Sequence, residues 1–80
     1  MNGQLVQDFK NYANSFGIGY LKEWKSNSIL WTLKRQPSIM GDEVRFLDYL
    51  SNCLQMEGFR NIDIELIIGW LYERKEEIAA

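Results

Sequence analysis

Histidine does not occur in this 80-residue chain. Its absence removes the commonest general base, every serine–histidine or cysteine–histidine nucleophile system, and the usual zinc ligand sets. Cysteine occurs once, at Cys53, so no internal disulfide can form and a reducing compartment is the natural setting. No apolar run approaches the roughly 20 residues that a bilayer crossing needs. Met1 to Lys10 carry neither a basic n-region nor an apolar h-region, so no secretory signal is expected. These absences predict a cytoplasmic protein with no membrane association, no metal, no cofactor and no enzyme activity.

The carboxylates could still do acid–base work or hold magnesium. Three pairs are candidates: Asp42/Glu43, Asp63/Glu65 and Glu76/Glu77. The first two sit where helix starts favour negative charge, and the third reads as a solvated helix end. None has metal-ligand spacing. Gly17-Ile18-Gly19 lacks the third glycine and the strand–turn–helix setting of a phosphate loop. Cys53 has no partner base and lies on an apolar stripe, which marks it as a packed core residue.

What the chain does have is apolar and aromatic: 46% of its residues are hydrophobic and 14% aromatic, the composition of a globular chain. Residues 1–80 are too few for more than one domain. Gly58 to Ile78 holds an unbroken apolar run from Leu66 to Tyr72. At about 100° per residue, Ile64, Ile67, Ile68, Leu71 and Ile78 share one face, the stripe of a core-facing helix. Leu66 and Trp70 fall on another side, adjacent at i, i+4.

Three packed helices are expected, over about 3–16, 42–57 and 63–78, making the protein mainly α. In the first, Leu5, Val6, Phe9, Tyr12, Ala13 and Phe16 share an arc, and Gly17 follows the end. In the second, Phe46, Leu47, Leu50, Cys53 and Leu54 form the stripe and Gly58 stops it. In the third, Asp63 is placed as N-cap, with Ile62 and Ile67 spaced as a hydrophobic staple. The second and third should form an antiparallel helical hairpin. Pro37 pushes Gln36 out of helical geometry, and Ser38 to Gly41 reads as a short linker.

Residues 18–36 admit two readings. As strands, 20–25 and 28–35 put Tyr20, Lys22, Trp24, Ile29, Trp31 and Leu33 on one face, five apolar of six. The other face then holds Leu21, Glu23, Lys25, Leu30, Thr32 and Lys34, two apolar of six. That separation suits a half-buried β-hairpin, the preferred reading. Two short helices are the alternative, with Ser28 as a cap and Ile29, Leu30 and Leu33 as a stripe.

Net charge is −2, but its distribution is uneven. Residues 1–40 hold five basic and two acidic side chains (+3), and residues 41–80 hold four basic and nine acidic (−5). Such asymmetry can mark a binding face or draw copies together head to tail. Two surfaces could carry function. Leu66, Trp70 and Tyr72 would make a partner-binding patch, with Gly69 letting another backbone approach; the competing reading buries them beneath the rest of the domain. Tyr20, Lys22, Trp24, Lys25, Trp31, Lys34 and Arg35 would offer stacking rings beside cations to a nucleic acid. Against that, the aromatics could face the core, and a pI near 5.0 is acidic for a nucleic-acid domain. The expectation is therefore a small adaptor or regulatory module that binds a protein, or its own copy, through the helix over 63–78. A nucleic-acid-binding accessory protein is the alternative.

Overall fold

The computed structural model describes residues 2–80, and among them six helices follow one another: α1 (Gly3–Asn14), α2 (Glu23–Arg35), α3 (Pro37–Met40), α4 (Glu43–Met56), α5 (Asn61–Tyr72) and α6 (Lys75–Ala79). The protein is mainly helical, as its periodicity predicts. The count of three helices is not what forms, and neither is the hairpin.

α1 and α4 fall within two residues of their expected bounds because capping and periodicity agree there. The Asn2 side chain accepts from the Gln4 backbone N–H at 2.9 Å, and α1 buries Leu5, Val6, Phe9 and Ala13. Asp42 caps α4, accepting from the Val44 and Arg45 N–H groups at 3.1 and 3.3 Å. α4 buries Phe46, Leu50, Cys53 and Leu54, and Gly58 ends its last turn with φ +86°.

The region expected as a β-hairpin is instead the single helix α2. Its buried residues are Ser26, Ile29, Leu30 and Leu33, the i, i+3, i+4, i+7 spacing of one helical face. Glu23 lies in its first turn and Lys34 and Arg35 in its last, each matched to the helix dipole. The buried Ser26 hydroxyl donates to the Lys22 carbonyl at 3.0 Å, so its polarity is satisfied within the helix. The alternating pattern had grouped Trp24 and Trp31 with Ile29 and Leu33, but the helix turns both tryptophans outward.

The helix expected over 63–78 begins earlier, at Asn61, and divides. Asp63 is the third residue of α5 rather than its cap, and its buried carboxylate pairs with the Arg60 guanidinium at 2.7 Å. Ile62 is largely exposed, so the staple does not form. The break at Glu73–Arg74 has a local cause. Arg74 donates from its side chain to the Trp70 carbonyl at 2.9 Å, while its backbone N–H turns to Leu71. α6 then packs against α2 and buries Ile78 completely. The stretch read as a linker is the short helix α3, with Pro37 in its first turn, where the missing N–H is harmless.

Two loops are clamped together at one end. Asn14 holds Leu21 with both ends of its amide: Nδ2 donates to the Leu21 carbonyl at 2.9 Å, and Oδ1 accepts its N–H at 2.7 Å. Gly19, with φ +81°, lies directly against Phe59, and the Tyr20 N–H reaches the Glu57 carbonyl at 3.3 Å. This lock joins the α1–α2 loop to the α4–α5 loop and buries Leu21 and Phe59 with the helix cores.

Candidate interaction surfaces

α5 is apolar on more than one side, and its sides meet different fates. Ile64, Ile67, Ile68 and Leu71 enter the core. Trp70 is half-buried in an aromatic stack: its ring is near parallel to Tyr12 at 5.3 Å and to Phe9 at 6.2 Å. The Arg74 guanidinium lies over it at 3.8 Å. Trp70 therefore seals the seam between α1 and α5. Leu66, one turn earlier, is about half exposed beside that seam.

Elsewhere on the surface, residues of α4 and α5 line a groove of about 1000 Å³. Leu47, Ile62 and Tyr72 stand along it at 41%, 66% and 49% exposure. Phe46, Ile64 and Ile68 supply apolar surface beneath them, and Phe46 meets the Tyr72 ring edge-on at 5.9 Å. Gly69 lines the same wall, and a methyl group built there would meet nothing within 4 Å. The charged side chains among the groove's walls are both acidic, Glu43 and Glu65. Lys75 lies beyond one end, over the Tyr72 ring at 4.5 Å.

Of the residues expected to bind a partner, Tyr72 lines this groove, and Leu66 and Trp70 lie outside it. The sequence pattern places Ile62 in a staple and Leu47 in a core stripe, yet both stand exposed along the groove. The available signal was surplus: each helix carries more apolar residues than one buried face accommodates.

The second surface is a ridge on α2. Trp24 and Trp31 stand seven residues apart on its outer face, at 66% and 39% exposure, and Tyr20 precedes them at 60%. The Lys25 ammonium lies 5.8 Å from the Trp24 ring centre, and that of Lys34 lies 5.5 Å from Trp31. Lys22 and Arg35, at the two ends of the helix, are exposed. The ridge's one acidic residue, Glu23, is paired with Lys10 at 3.7 Å and with Gln7. All seven residues of the expected basic aromatic face thus lie on or beside one helix, and its three aromatic rings are open to solvent.

Reactive chemistry is sparse. Among the described residues no group of three or more cysteine, aspartate or glutamate side chains gathers to hold a metal. Cys53 is buried. Burial pushes the Tyr49 phenol above its usual value of 10.0, with a hydrogen bond to Thr32 opposing the shift and the neighbouring Cys53 adding to it. No described helix is long and apolar enough to cross a membrane. No family model, curated protein or solved structure matches the chain.

Proposed function

We propose that this chain is a small non-catalytic protein-interaction module, adaptor or regulatory in kind, that receives a helical segment in the α4–α5 groove. The observation that carries the reading is that solvent-exposed Leu47, Ile62 and Tyr72 line one groove over an apolar floor. An amphipathic helix laid into an apolar groove is a recurrent recognition mode, and contiguous exposed apolar surface of this kind marks interfaces more often than accident. Trp70 and Arg74 support the groove from behind by fixing α5 against α1.

The exposed ridge on α2 favours a second reading, a nucleic-acid-binding accessory role. Open aromatic faces beside lysines suit base stacking and phosphate contact.

One capture experiment from lysate of the source cells separates them, run with and without nuclease. The wild type is compared with Ile62→Asp and with the Trp24→Ser/Trp31→Ser double variant. The interaction reading expects a stoichiometric protein that survives nuclease and is lost with Ile62→Asp. Material that vanishes with nuclease, and is lost only with the tryptophan variant, would transfer the function to α2. Both variants alter exposed side chains, so unchanged helicity by circular dichroism is the control.

A further inference from the structure

The α2 ridge and the α4–α5 groove are complementary in polarity and charge. The α2 ridge is convex, aromatic and cationic; the α4–α5 groove is concave, apolar and rimmed by Glu43 and Glu65. Trp24 and Trp31 are two helical turns apart, about 10 Å along the axis. Ile62 to Tyr72 spans about 15 Å of α5, so the groove is long enough to take both rings. The open space at Gly69 lies within that span. Within one molecule α2 packs against α1, α3 and α6, and α4 and α5 pack on each other. No other described residue covers either surface's exposed aromatic and apolar side chains.

We propose that the occupant of the groove is the α2 ridge of a second copy of this chain, so that copies associate head to tail. This deepens the groove reading by naming the partner. Trp24 and Trp31 would enter over Ile62, Leu47 and Tyr72, while Lys25 and Lys34 approach Glu43 and Glu65. Burying ring surface supplies the attraction, and the opposite charges orient the encounter. A contact between two different patches is heterologous. Each assembly keeps a free groove at one end and a free ridge at the other, and growth continues unless the rotation closes a ring.

Sedimentation velocity across a concentration series tests this directly. The wild type should grow in mean mass with concentration, and added salt should weaken that growth by screening the lysine–glutamate approach. A variant without the ridge (Trp24→Ser/Trp31→Ser) and one without the groove (Leu47→Asp/Ile62→Asp) should each be monomeric alone. Mixed, they should form a 1:1 dimer and nothing larger, because the one remaining ridge meets the one remaining groove. A wild type that stays monomeric at millimolar concentration overturns the proposal. So does a mixture that stays monomeric, or a self-association that the tryptophan variant leaves intact. In any of these cases a foreign partner lost with Ile62→Asp would still sustain the groove reading, so the two fail separately.

Discussion

A methyl group at Gly19 would stand 2.7 Å from the Phe59 ring and 2.8 Å from the Phe59 backbone nitrogen. A ring can shift; a backbone nitrogen held in a clamped loop cannot do so without moving its neighbours. Gly19 also has φ +81°, a conformation that costs a residue bearing Cβ roughly 1–2 kcal/mol. Gly17 has a similar φ of +82° but open space around its Cβ position. Gly17→Ala should therefore lose about 1–2 kcal/mol, and Gly19→Ala should lose distinctly more. Urea midpoints at unchanged m-value would measure both losses. Equal losses at the two positions would mean that contact with Phe59 contributes nothing beyond backbone conformation.

At the scale of an element, α5 illustrates a helix whose sequence answers to two demands. Its core face is as regular as any in the chain, yet its exposed side carries Gly69, where a methyl group would meet nothing within 4 Å among the described residues. Glycine in a helix interior is less favourable than alanine by about 0.8–1.0 kcal/mol. Gly69→Ala should raise the thermal midpoint, with a gain of at most about 1 kcal/mol. It should also weaken whatever occupies the groove, since the new methyl group projects into it. Stabilisation without loss of binding would place the docked segment away from Gly69.

The same element scale explains what could be read from the chain beforehand. α1 and α4 were legible because one-sided periodicity and end chemistry coincide: Asn2 and Asp42 accept hydrogen bonds from the N–H groups of the first turns, and Gly17 and Gly58 adopt positive φ beyond the ends. α2 was not, because Ile29 and Leu33 fit an alternating pattern with Trp24 and Trp31 as well as a helical one with Leu30. Only the three-dimensional requirement to bury Ile29, Leu30 and Leu33 together against α1, α3 and α6 decides between them. The break after Tyr72 depends on a side chain, Arg74, taking over the Trp70 carbonyl, which no periodicity records. The groove was invisible for a related reason. Tyr72 could be named from surplus hydrophobicity, but Leu47 and Ile62 become a surface only once the angle between α4 and α5 is known.

For the whole molecule, small size makes association and stability inseparable. An 80-residue domain is expected to be stable by only about 4–12 kcal/mol. A partner that binds the folded state alone adds RT ln(1 + [L]/Kd), about 2.7 kcal/mol at a hundredfold excess over Kd. In a domain of this length each kcal/mol moves the midpoint by about 4–8 °C. If copies dock ridge to groove, the wild-type melting temperature should climb by on the order of 10 °C as concentration rises from well below Kd to about a hundredfold above it. The Trp24→Ser/Trp31→Ser variant should melt at one temperature throughout. Differential scanning calorimetry over that range reads the association without any label or surface attachment. A wild-type midpoint independent of concentration would leave the groove to a partner other than the chain itself. A rise that persists in the tryptophan variant would locate self-association on some face other than α2.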